Sequence, residues 1–136
     1  MYASKHSFAD QYRRTEISAR VAEADPHQLI ALLFEGASQR IRRAQACLEQ
    51  GDVARKGKAI GEACAIIGHL NGSLDHEAGG QLAANLSSLY DYIVRRLTEA
   101  NLHNDRSALA ESLDLLGEVE SAWNSIPRAQ RSAVAS

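Results

Sequence analysis

The chain has 136 residues, 45% hydrophobic and 24% charged, with a formal net charge of −2 and two cysteines. That length predicts one domain with a core large enough to stand without a disulfide or metal staple. The slightly acidic balance argues against a nucleic-acid partner, since Arg13-Arg14, Arg42-Arg43 and Arg95-Arg96 are scattered rather than clustered, and no apolar run reaches the roughly 18 residues of a membrane span.

Residues 1–24 lack the apolar stretch of a signal peptide and form a segment ahead of the first helix, so the protein is read as cytosolic, with no membrane insertion. Asp25-Pro26 supplies a cap and a proline at the first helical position, with Gln28 as capping-box partner. From there Ile30, Leu33, Ala37, Ile41, Ala44 and Leu48 recur at steps of 3 or 4, and Gly51-Asp52 ends one helix and caps the next. The second helix is expected from Val53 to Leu74, with Val53, Ile60, Ile67 and Leu74 seven apart and Gly79-Gly80 as its break. Leu82, Leu86, Leu89, Ile93, Leu97 and Ala100 mark a third helix ending near Asn101 to Asn104. Asp105 caps a fourth, carried by Leu109, Leu113, Leu116, Val119 and Trp123 and stopped by Pro127. Short connections between such helices predict an all-α, antiparallel up-and-down four-helix bundle over 25–126. An N-terminal strap (1–24) and a polar, small-residue tail (127–136) flank it, the tail expected to be disordered.

The second helix raises a question of its own. Gly57, Gly61, Gly68 and Gly72 each cost about 1 kcal/mol relative to alanine in a helix interior. At about 100° per residue, Val53, Ala59, Ile60, Ala63, Ile66, Ile67 and Leu70 fill a broad apolar arc, and the four glycines with Cys64 fill a second arc directly beside it. The polar arc of Arg55, Lys58, Glu62, His69 and Ser73 is the narrowest. An ordinary bundle helix buries only a stripe of roughly 100°. Either a part of the chain itself fills the small-residue furrow, or a partner does.

Catalytic and metal-binding patterns are missing from the sequence. No Glu-x-x-His pair exists, the five histidines never stand four apart, and Cys47 and Cys64 match no zinc spacing. With a turn at Gly51 the two thiols lie about 13 Å apart along their helices, too far for a disulfide, and are expected to be reduced core residues. There is no phosphate-binding loop and no nucleophile elbow, so neither enzyme activity nor a cofactor is expected. One alternative is a phosphotransfer bundle using His69, which lies on the polar arc between Gly68 and Gly72. Such domains usually carry a lysine just before that glycine, where this chain has Asn71. A third possibility is a helical protein that uses the furrow only to dimerise.

Several stretches together resemble the flagellin export chaperone family, FliS. They are the opening Met1-Tyr2, DPHQLIALLFEGA at 25–37, LEQGD at 48–52, KGKAI at 56–60, ACAII at 63–67, Leu74-Asp75 and the long GGQLAANLSSLYDYIVRRLTEANLHND at 79–105, with Ala122-Trp123 near the end. The resemblance implies a non-enzymatic cytosolic chaperone with a helical bundle. Its implied partners are the disordered C-terminal segment of flagellin and the cytoplasmic domain of the export-gate membrane protein, and it leaves open an anti-sigma factor or other flagellar regulator. It places Tyr12 at the family's N-terminal tyrosine, one turn after Phe8, in a region used for client and gate contacts. The expected partner-binding set is Phe8, Tyr12, Gly57, Ile60, Gly61, Cys64, Gly68, Leu86 and Tyr90. Tyr90 and Tyr92, two apart, cannot share a helix face, so at most one points into the core.

Overall fold

The computed structural model describes residues 26–125, which form four helices: α1 (Pro26–Glu49), α2 (Val53–Gly72), α3 (His76–His103) and α4 (Arg106–Ser125). The expected strap, tail, Asp25 cap and Pro127 stop lie outside the described residues.

Local chemistry explains each boundary. Gly51 takes φ 73°, a left-handed conformation that costs glycine little, and the Asp52 carboxylate then accepts from the Arg55 amide at 3.1 Å. Asp75 caps α3 by accepting from Ala78 at 2.9 Å, and Asp105 caps α4 by accepting from Ala108 at 3.1 Å. Its bonds to Ser107 and Ala108 hold the Asp105 carboxyl below the usual carboxylate range. Between α3 and α4, Asn104 closes the helix at φ 51°, a conformation asparagine tolerates.

Side-chain pairs fix the topology. Arg40 Nε lies 3.3 Å from Glu62, and an added Cβ on Gly36 would meet Ile66 at 3.4 Å, so α1 and α2 run antiparallel in close contact. Asn71 donates to Asp91 at 3.2 Å while Gly57 lies opposite Asn101, which sets α3 antiparallel to α2. Arg106 meets Glu49 at 3.4 Å, and the His27 and Trp123 rings are 6.3 Å apart at the other end, which sets α4 antiparallel to α1. Each helix therefore packs against two neighbours around a square, and the α2/α3 side is opposite the α4/α1 side. The all-α antiparallel bundle expected from periodicity is the fold.

The core follows the expected inward stripes through Ile41, Ile60, Ile67, Leu70, Ile93, Leu97, Leu109 and Leu116, closed at one end by Trp123, and adds Phe34 and Tyr90, while the expected Leu33 and Leu48 are only partly buried. Three details differ from expectation. Helix α2 stops at Gly72, and α3 starts at His76 rather than beyond Gly79-Gly80, because Asp75 supplies the cap. The break at Gly80 (φ 51°, ψ −127°) is a kink inside α3, and Leu82 just after it stays exposed. Val53, placed in the apolar arc, is the first residue of α2 and is 59% exposed.

Lys56 is the unexpected core member. It is 1% exposed, and its ammonium donates to the Asn101 carbonyl at 2.9 Å and to the Asn104 side-chain oxygen. A cation at the C-terminal end of α3 satisfies a carbonyl that the helix leaves open and matches the negative end of the helix dipole. Burying the charge is tolerable because it is hydrogen-bonded throughout this contact.

Candidate functional site

The small-residue arc of α2 is open among the described residues. Gly61, Gly68 and Gly72 are exposed, and a Cβ built on any of them would meet no heavy atom within 4 Å. Only Gly57 has a neighbour, Asn101 Oδ1 at 3.5 Å, an ordinary contact. The helix penalty of three glycines, about 2–3 kcal/mol, therefore has no offsetting contact among the described residues.

Helix α3 supplies the adjoining wall. Ser87, Asp91, Val94, Thr98 and Asn101 recur at steps of 3 and 4 and so share a face, placed beside α2 by the Asn71–Asp91 and Gly57–Asn101 contacts. None of these side chains is large. Helix α2 contributes Cys64, half-buried, with its thiol pKa raised by burial. From Gly57 to Gly72 the strip runs about 22 Å at 1.5 Å per residue, long enough for four turns of a docked helix. Glycine at its floor lets a second backbone approach closely, because no Cβ intervenes.

The remaining candidate residues separate by burial. Ile60 (2% exposed) and Tyr90 (3%) lie inside the closed bundle, and Leu86 is half-buried against the core. Burial pushes the Tyr90 hydroxyl well above the usual tyrosine range. These side chains lie in the core behind the strip, and Ile60 and Tyr90 are closed off from the surface. Of the two tyrosines the outward one is Tyr92, which donates to Glu111 across the α3/α4 seam and carries the Arg95 guanidinium 5.6 Å from its ring centre. Arg96 joins it, with Nε 3.4 Å from Glu111 and Nη1 2.5 Å from Glu99. The hydrogen bond to Glu111 raises the Tyr92 pKa. Phe8 and Tyr12 lie outside the described residues.

His69 is exposed on α2, and Asn71, two positions on, is engaged with Asp91. Among the described residues no group of three His, Cys, Asp or Glu side chains is arranged to hold a metal ion, both cysteines are free, and no helix is long and apolar enough to cross a membrane. Sequence reasoning missed Lys56, although its position in the middle of the apolar arc was the available signal.

Comparison with known proteins gives a consistent pattern. Residues 8–130 match the family model described as Flagellar protein FliS. The flagellar secretion chaperone FliS of Salmonella typhimurium is 48% identical over 116 residues, covering 85% of this chain and 86% of the relative. The flagellar secretion chaperone FliSB of Pseudomonas aeruginosa is 46% identical over 126 residues, covering 93% and 98%. The FliS chaperone of Bacillus subtilis is 33% identical over 111 residues, covering 82% of each chain.

Proposed function

This chain belongs to the FliS family of flagellar secretion chaperones, and from that premise we propose that it holds the disordered C-terminal segment of flagellin in the cytosol. Held in this way, the segment is kept from premature polymerisation until the complex reaches the cytoplasmic domain of the export-gate protein. The observation that carries the reading is the α2/α3 strip, where Gly61, Gly68 and Gly72 meet nothing within 4 Å among the described residues. An amphipathic or extended client segment laid along about 22 Å of small side chains would supply the contact those glycines lack.

In this reading each residue has a role. Gly57, Gly61, Cys64 and Gly68 form the floor against which the client backbone packs, Leu86 supports it from the core side, and Phe8 and Tyr12 of the N-terminal segment serve as the strap. Ile60 and Tyr90 set the shape of the floor from within the bundle. A client that is disordered when free loses conformational entropy on docking, so a long contact of many small terms suits it better than one deep pocket. Holding of this kind requires neither catalysis nor ATP, and release follows from competition at the gate.

The test is a polymerisation assay. Monomeric flagellin seeded with filament fragments should stop elongating at one equivalent of this chain, and elongation unaffected by excess chain would contradict the reading.

A further inference from the structure

On the opposite side of the bundle, α1 and α4 form an open, shallow cleft of about 530 Å³, lined by Ser38, Arg42, Asp114, Gly117, Glu118 and Glu120 among others. Three carboxylates face one guanidinium there, and none of the four makes an ion pair or hydrogen bond among the described residues. A Cβ on Gly117 would meet nothing within 4 Å, so the floor is open. Ser38 lines the cleft with 7% of its surface exposed, and its hydroxyl has no hydrogen-bond partner among the described residues. Ser112, next in sequence to Leu113 of the cleft wall, is fully buried with its Oγ also unpartnered. A buried hydroxyl without a partner, as at Ser112, is uncommon and costly, while the Ser38 hydroxyl lines a cleft with an excess of negative charge.

We propose that this cleft docks the chain's own C-terminal segment, residues 126–136, through Arg128 and Arg131. The segment IPRAQRSAVAS carries two cationic and no acidic side chains. It leaves α4 at Ser125, four residues or about 6 Å beyond the cleft residue Ser121 and eleven residues or about 16 Å beyond Asp114. Pro127 lacks the amide N–H that a continuing helix needs, so the proposal has the chain turn back there. The six residues from Ser125 to Arg131 extend to about 20 Å, enough to return along α4 and set Arg128 near Glu118 and Glu120 and Arg131 near Asp114. The main chain and Gln130 of the segment bring donors and acceptors for the Ser38 hydroxyl. Each exposed ion pair is weak and screened by salt, and the covalent tether raises the effective concentration to the millimolar range, which makes docking intramolecular and salt-sensitive. The cleft lies on the side away from the α2/α3 strip, so docking leaves the client site free.

The experiment uses the full chain, labelled with nitrogen-15, as wild type, as Arg128→Glu/Arg131→Glu, and as that variant combined with Glu118→Lys/Glu120→Lys. At low salt the amide signals of Ser38, Gly117 and Ser121 should differ between wild type and the double variant, while those of Gly61 and Gly68 coincide. The difference should disappear at about 0.5 M salt, where the screening length falls to a few ångströms, and return toward wild type in the charge-swapped variant. Superimposable spectra of wild type and double variant at low salt would overturn the proposal. So would a difference that grows with protein concentration, which would make a second copy's tail the occupant.

Discussion

Lys56, buried in the first turn of α2, donates to the main-chain carbonyl of Asn101 at 2.9 Å and so ties the start of α2 to the end of α3. The same ammonium reaches the side chain of Asn104, the left-handed residue that closes α3. Lys56→Met keeps the buried stem and removes the charged donor, leaving the helix-end carbonyl without its partner. A loss of about 2–3 kcal/mol is expected, read as a lower urea midpoint with unchanged slope. Unchanged stability would mean that the contact contributes nothing.

The proposed role of the glycine strip can be tested separately in folding and in binding. Gly61→Ala with Gly68→Ala removes two helix penalties where an added Cβ meets nothing among the described residues, so the variant should be about 1–2 kcal/mol more stable. Gly68→Leu should leave the melting temperature unchanged or slightly raised and weaken flagellin binding. A loss of about 1–3 kcal/mol in Gly68→Leu would instead mean overpacking against a part of the chain itself.

Alkaline pH should unfold the protein through Tyr90. Its pKa in the folded state is raised above the unfolded value near 10, so its contribution is fully present below about pH 10. That contribution is lost as pH rises toward the folded pKa, because the unfolded chain releases the proton first. Tyr90→Phe should therefore cost little at pH 7 and flatten the fall in stability above pH 10 in denaturant titrations. An identical alkaline profile would remove Tyr90 as the cause.

Helix positions and core were legible because they depend on local signals. Asp52 and Asp105 cap where their spacing predicts, and Ile30, Ile41, Ile60, Ile67, Ile93 and Leu116 point inward as the steps of 3 and 4 require. Gly79-Gly80 read as an end because glycine pairs usually interrupt helices, yet the Asp75 cap starts α3 earlier and only Gly80 departs from helical angles. The place of Lys56 in the apolar arc hinted at its burial, but the acceptors that make burial tolerable lie 45 and 48 residues away and were illegible. For the candidate site, the spacing of the glycines gave the strip, and the two-residue separation of Tyr90 and Tyr92 required that one turn away from the core. Tyr90 is the inward one because it stands at steps of 4, 3 and 4 with Leu86, Ile93 and Leu97; what periodicity does not carry is the contact that Tyr92, turned away, makes with Glu111 of α4.

The most direct measurement is calorimetric titration of the full chain with a peptide of the flagellin C-terminal segment. One equivalent should bind with a negative heat-capacity change, as expected when apolar surface is buried and a disordered segment orders, and Gly68→Leu should weaken it. Absence of any complex with the wild-type chain would contradict the proposal that it holds flagellin.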